Sequence, residues 1–400
     1  MIRFMMNGGL SWQPNGSAPI NCQALRQWGD LTWSVAGFDT GLFDPTTAIE
    51  RGGVGRISTP ILPEKNTWIV QAAWIAPTFA TGVGLETAGI YFMRGNDTTE
   101  QLSVRIRKQG ASPSGSFQDG ERFKLEVMVG AVSLGISRDF WTSQWHVIQV
   151  KVFFNDPIGA PNTGTVEVRV LPLEGGKLAR LDGAVQEVAI NVAGVDTSDA
   201  GVAGVDAIRF DYDTSSATSV WDHFLVMDSD GALNNDFPAQ PLIFVHGGLP
   251  WADGADLNWT PQGSGVTPPF DAVNDRSDLC IEDDGRLTSE TPGDTTLFSF
   301  QTPGMTGSTP AFANGPRIGL SNQVLGVSFH HVSGMEASGN RTVRPYYRDV
   351  LDVRAEGPDQ IITGTLFAGY VEIFELEPVT GLAWTAQQTT DMQWGLKLQA

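Results

Sequence analysis

The chain has 400 residues, 41% of them hydrophobic, with 45 acidic against 25 basic side chains and a formal net charge of −20. That hydrophobic fraction excludes a disordered chain, and the charge excludes a general basic face for nucleic acid, because it repels phosphate backbones. Two cysteines, Cys22 and Cys280, exclude a disulfide framework while leaving open a single bridge or two thiols, and no run approaches the roughly 20 apolar residues of a membrane span.

Residues 1–9 lack the long apolar stretch of a signal peptide, so synthesis in a cytoplasm without membrane insertion is expected. The 46 glycines and 23 prolines are dispersed, the spacing of many short strands joined by tight turns. Leu102, Val104 and Ile106 alternate with Ser103, Arg105 and Arg107. Phe123, Leu125, Val127 and Val129 alternate with Lys124 and Glu126. Ile148, Val150, Val152 and Phe154 stand against Gln149 and Lys151, and Val166, Val168 and Val170 against Thr165, Glu167 and Arg169. Each predicts a strand with one apolar and one wet face, the pattern of antiparallel sheets.

Turns are predicted at 94–97 and 155–157, and a longer loop over 110–120. Helix is scarce: residues 177–188 have room for a turn or two, and residues 385–391 for another with Thr385 as N-cap. A strand at 221–227 runs into an irregular connector over 228–241. The reading is therefore all-β with two β-sandwich domains. The first, 1–235, is a concanavalin A-like jelly-roll with room for an arm in its first ~40 residues, and the second spans 241–400. The second half shows strands at 297–300, 324–331, 343–350, 366–374 and 392–398, with long loops at 251–295 and 302–316.

Glu375 and Glu377 are the only paired carboxylates on one strand, roughly 7 Å apart by strand geometry. Glu372 falls on the other face and Pro378 ends the strand, so the plain expectation is two solvent-facing glutamates. Asp228-Ser229-Asp230-Gly231 with Asn234, Asn235 and Asp236 offers oxygen atoms of the kind calcium takes. No EF-hand glutamate follows, however, and the same residues build ordinary turns. Asp228, Asp230 and Asp236 are the metal candidates, calcium is the one ion considered, and no other cofactor is expected. Asp253-Gly254-Ala255-Asp256 is a weaker version. His146, His223, His246, His330 and His331 show no metal-ligand spacing. His246-Gly247-Gly248 has no Gly-x-Ser-x-Gly elbow to accompany it. Trp251, Trp259 and Phe270 lie in a loop-rich stretch, where aromatics either stack on sugar rings or lid the end of the second core.

Residues 217–237, with Val220-Trp221-Asp222-His223-Phe224-Leu225-Val226-Met227-Asp228, Gly231 and Asn234-Asn235-Asp236-Phe237, resemble the end of a lectin-like domain in virion proteins of tailed bacteriophages. So do Leu249-Pro250, Ala252-Asp253-Gly254, Trp259-Thr260-Pro261, residues 294–300, and the ending from Glu372 to Leu398. Trp145-His146-Val147 and Gly164-Thr165-Val166-Glu167-Val168 look like the paired central strands of that fold. The likeness covers scattered motifs over 140–400; residues 272–282 diverge, and Asp236-Phe237-Pro238 replaces the family's Phe-Leu-Gly.

The resemblance implies a non-enzymatic virion component, a tail-associated fibre or adhesin. It would contact other virion proteins and host-surface carbohydrate as a homo-oligomer, without nucleic acid and without membrane insertion. The alternatives are a capsid decoration (head fibre) protein and a carbohydrate-active enzyme on the jelly-roll scaffold. The family supplies no catalytic residues.

Overall fold

Side chains that alternate along each segment let neighbouring segments share one apolar face, and the described strands pair antiparallel. The computed structural model describes residues 1–6, 26–28, 49–51, 56–75, 83–95, 97–109, 122–141, 145–173, 186–199, 204–211, 219–231, 233–238, 249–262, 269, 273, 286–301, 324–335, 340–363 and 368–399. Cys22, His246, Phe270 and Cys280, with the loops expected at 110–120 and 302–316, lie outside the described residues or largely so. The chain divides into two units: residues 1–9 with 25–245, and residues 10–24 with 246–400.

In the first unit the strands are β1 (Ile2–Met6), β2 (Arg26–Trp28), β3 (Ile49–Arg51), β4 (Arg56–Ser58), β5 (Thr67–Ile75), β6 (Val83–Arg94), β7 (Thr99–Gln109) and β8 (Arg122–Val129). They continue with β9 (Val132–Ile136), β10 (Phe140–Trp141), β11 (Trp145–Phe153), β12 (Gly164–Leu173), β13 (Glu187–Val195), β14 (Ala207–Asp211) and β15 (Ser219–Asp228). A seven-stranded sheet runs β1-β15-β5-β11-β12-β13 with β3 also on β15. An eight-stranded sheet runs β10-β8-β7-β6-β14-β4-β2 with β9 on β8. Within this unit the chain crosses repeatedly from one sheet to the other, and the unit's first strand pairs with its last, β1 with β15, Ile2 opposite Met227 and Phe4 opposite Val226. This is a jelly-roll sandwich. Residues 2–6, inside the segment given room as an arm, are a strand of the sheet.

The two sheets meet through rings: Trp74 against Phe123 at 4.9 Å, Phe92 against Phe154 at 5.6 Å, and Phe210 against Trp221 at 5.8 Å. Ile148, Val150, Val152, Val166, Val168 and Val170 are all buried between them, as their alternation predicts. Burying each such side chain stabilises the fold by roughly 1.5–3 kcal/mol. The expectation of one wet face fails at three places. Ser103, Gln149 and Glu126, expected to face solvent, are 0%, 0% and 1% exposed. His146 is a core ring, packed by Trp74, Phe123 and Phe140.

The second unit contains β16 (Leu249–Leu257), β17 (Thr260–Gln262), β18 (Arg286–Thr288), β19 (Thr295–Gln301), β20 (Val327–Ser333), β21 (Asn340–Arg348), β22 (Arg354–Glu356), β23 (Gln360–Thr363), β24 (Ala368–Phe374) and β25 (Gln393–Leu398). Its main sheet has six strands in the order β16-β19-β25-β21-β22, with β23 also on β21. The ribbon β20–β24 packs on it, Phe329 stacking on Trp394 at 5.5 Å and Phe374 lying 4.8 Å from the same ring. The alternation of Met392, Trp394, Leu396 and Leu398 is buried as expected. Gly395 permits the close β19 contact, because a Cβ there would run into the Thr296 carbonyl oxygen.

Two local expectations meet different outcomes. Thr385 caps α1 (Ala386–Asp391) in a reciprocal capping box with Gln388, as the sequence predicts. The segment expected as a loop over 251–295 carries strands β16, β17 and β18 instead. Its Asp and Gly residues hid the signal, since both are depleted in strands.

Candidate functional site

The oxygen cluster at the end of β15 surrounds cations of the chain itself. The Met1 ammonium donates to the carbonyl oxygens of Asp228 at 3.1 Å and Asn234 at 2.6 Å, and lies 3.3 Å from Asp228 Oδ1. Asp228, with its side chain 0% exposed, pairs through Oδ2 with Arg3, while its Oδ1 accepts the Asp230 N–H at 2.9 Å. Asp230 pairs with Lys65 and with Arg3, and the Lys65 hydrogen bond holds its carboxyl below the ordinary value. Asp236 pairs with Lys151 at 2.7 Å, and that bond lowers its carboxyl despite partial burial. The three metal candidates therefore each meet a lysine, an arginine or the ammonium. Among the described residues no three His, Cys, Asp or Glu side chains group to hold a metal ion.

The paired-glutamate expectation is corrected at Glu377, which is 0% exposed rather than solvent-facing. Its carboxylate accepts the N–H groups of Val379 at 3.1 Å and Thr380 at 2.6 Å, and it closes the turn to Gly381. Burial raises its pKa, but bonds from Thr380, Val379 and Tyr347 outweigh that and leave it lowered. The residue is a turn anchor. The strand ends at Phe374, before either glutamate, and the turn that follows folds back over Glu377, which strand spacing alone does not reveal.

Trp251 lies on β16, and its side chain is outside what the structure describes. Trp259 stands between β16 and β17; its Nε1 donates to the Asp294 carbonyl oxygen at 3.2 Å, and its ring packs against the second core. That contact is the lid arrangement weighed from the sequence.

Sequence reasoning missed a chain of polar groups in the second unit. His331 on β20 shares a hydrogen bond of 2.9 Å through Nδ1 with Ser333 Oγ, and one of 2.5 Å through Nε2 with Gln360 Oε1. Its ring stacks on Tyr370 at 5.1 Å. Gln360 also bonds the Glu372 side chain. An amide oxygen only accepts, so the ring carries its proton on Nε2 and takes the Ser333 hydroxyl proton at Nδ1. Burial lowers the His331 pKa to about 4 and raises that of Glu372, so both groups favour their neutral forms.

It also missed an exposed strip on the outer face of the eight-stranded sheet. Phe123 and Leu125 point into the sandwich, so Arg122 and Lys124 point out. Lys124 pairs across the ladder with Arg107, and Arg122 with Trp141. The Arg122 guanidinium lies 4.3 Å from the Trp141 ring centre, and both are open to solvent, 50% and 40% exposed. A cleft of about 410 Å³ opens at Lys124, lined also by Gly84, Arg107, Lys108, Gln109 and Ile136. The cations of the strip and the cleft have uneven partners. Arg107 binds the buried Glu126, and Lys108 binds Glu86 at 2.6 Å. Arg122 and Lys124 share Asp139 at the looser distances of 3.8 and 3.6 Å.

No protein-family model and no curated protein matches the chain. Solved structures do. A marine PL-14 alginate lyase from Aplysia kurodai is 13% identical, with 51% of this chain and 90% of that chain covered and a TM-score of 0.35. Lectin UEA-II complexed with galactose is 10% identical over 56% of this chain and 98% of that chain, with a TM-score of 0.33. The VIP36 exoplasmic/lumenal domain in its Ca²⁺/Man-bound form is 10% identical over 51% and 83%, with a TM-score of 0.31.

Proposed function

We propose that the chain is a non-enzymatic structural and binding component of a tailed-phage virion. In this reading it is a tail-associated fibre or adhesin protein whose sandwiches carry contacts to neighbouring subunits and to host-surface carbohydrate. The observation that carries the binding half is the burial of Glu377. Of the Glu375/Glu377 pair, which follows β24, Glu377 spends its carboxylate on a turn, and hydrolysis of a glycosidic bond needs two carboxyl groups facing a common space. The open face with Trp141 and Arg122 supplies a surface of the kind that carbohydrate contacts use. The virion half is supported by the resemblance of residues 217–237 and 372–398 to lectin-like virion proteins.

Repeated copies would multiply weak contacts, so no single site needs to bind tightly. Immunogold electron microscopy with antibody against the chain tests the placement. Gold on tails is the expected result. Gold on heads favours the capsid-decoration alternative, and unlabelled particles overturn the proposal.

A further inference from the structure

The strip on the outer face of the first unit has a charge pattern that selects among sugars. In a chain of net charge −20, Arg122, Lys124 and Arg107 share one exposed face of one sheet, while Lys108, opposite the inward Phe123, is buried against Glu86. Among the described residues, Arg122 and Lys124 form ion pairs with Asp139 alone, at the edge of pairing distance, so each keeps most of its capacity for an outside anion. Strand spacing sets Trp141, Arg122 and Lys124 in a row along and across β10 and β8, with Arg107 opposite on β7. Neighbouring positions on that face are roughly 5–8 Å apart. Such a row alternates an aromatic platform with cations, the complement of a chain of rings bearing spaced anions.

We propose that this strip and its cleft bind an acidic polysaccharide, with Trp141 under a sugar ring and Arg122, Lys124 and Arg107 on its carboxylates. A planar guanidinium takes a carboxylate by two parallel hydrogen bonds, and a ring face takes the apolar side of a sugar. Nucleic acid fits less well. A polyphosphate carries a charge at every unit and would meet the acidic remainder of the surface, whereas a sugar chain carries sparser charge on flat rings. The inference rests on the carbohydrate-binding part of the proposed function and names the ligand class.

The test is isothermal titration of the full chain with an oligogalacturonate, a neutral malto-oligosaccharide of equal length, and single-stranded DNA. The oligogalacturonate is expected to bind at low salt at least tenfold more tightly than the neutral chain, and to weaken as salt rises. Arg122→Ala and Lys124→Ala should each lower affinity about fivefold to tenfold, while Lys397→Ala in the second unit leaves it unchanged. Asp139→Asn should raise affinity several-fold by freeing both cations, a gain that misfolding cannot produce. Equal binding of acidic and neutral sugars, tighter binding of DNA, no binding of oligogalacturonate, or indifference to all three variants overturns the inference. If particles lack the chain yet the titrations succeed, the virion reading fails and this one stands. If particles carry the chain and the titrations fail, the virion reading stands and this one falls.

Discussion

Gln149 donates from Nε2 to Gln71 Oε1 at 3.0 Å, with both side chains essentially buried on the face of the seven-stranded sheet that points away from the sandwich core. Gln186 extends the row, donating to Gln149 Oε1 at 2.6 Å. Removing one amide strands its partner's polar atoms out of water, which costs about 1–3 kcal/mol, whereas removing both strands fewer. Gln149→Leu is therefore expected to destabilise the first unit by about 2 kcal/mol. The Gln71→Leu/Gln149→Leu double variant should cost clearly less than the sum of the singles. Urea denaturation of the four proteins measures the coupling, and strict additivity would refute it.

Arg3→Ala leaves the buried Asp228 carboxylate with less compensation, and a broken buried pair typically costs about 3–5 kcal/mol. A loss near the lower end is expected, because the Met1 ammonium stays beside Asp228 Oδ1 at 3.3 Å. Millimolar calcium should neither restore the variant nor raise the melting temperature of the parent chain. A calcium-dependent rise would return Asp228, Asp230 and Asp236 to the role of ion ligands.

Glu377→Gln should weaken the turn at 377–381 by about 1–2 kcal/mol, since charge-assisted bonds to two backbone N–H groups become neutral ones. The folded-state pKa is lowered, so the carboxylate's contribution is fully present above the ordinary glutamate value of 4.5 and is lost as pH falls through the folded value. Melting temperatures from pH 7 to pH 3 should fall less steeply in the variant than in the parent. Parallel curves would contradict the assignment of Glu377 as the turn's anchor.

His331 titrates in the same direction for a different reason. Burial lowers its folded-state pKa to about 4 from the ordinary 6.5, so the unfolded chain binds the extra proton first. The second unit should lose stability as pH falls from 6.5 to about 4 and lose no more from this ring below that. Glu372, raised by burial, acts oppositely: its contribution is present below the ordinary 4.5 and declines as pH rises through its folded value. Proton NMR of the His331 ring should show a midpoint near 4, and a midpoint near 6.5 would show an exposed, unlinked imidazole.

The strands were legible because alternation is a local property: Val166, Val168 and Val170 declare their shared face without knowledge of any neighbour. Thr385 was legible for the same reason, its capping partner Gln388 being three residues away. The burial of Gln149 and Glu126 was not, because it depends on what covers a face, and alternation tells only that a face exists. The sequence shows the Asp228 cluster only as oxygen atoms that suit either calcium or an ordinary turn, since the cations Arg3 and Lys65 arrive from far away in sequence. The strip around Trp141 was equally hidden. It exists only once β10, β8 and β7 are placed side by side, and each of its cations looks ordinary on its own strand.

Mass spectrometry of phage particles purified through density gradients tests the central claim most directly. Peptides of this chain are expected in constant ratio to other tail proteins through every purification step. Their disappearance from the particle fractions, with the chain recovered only as free protein, would contradict it.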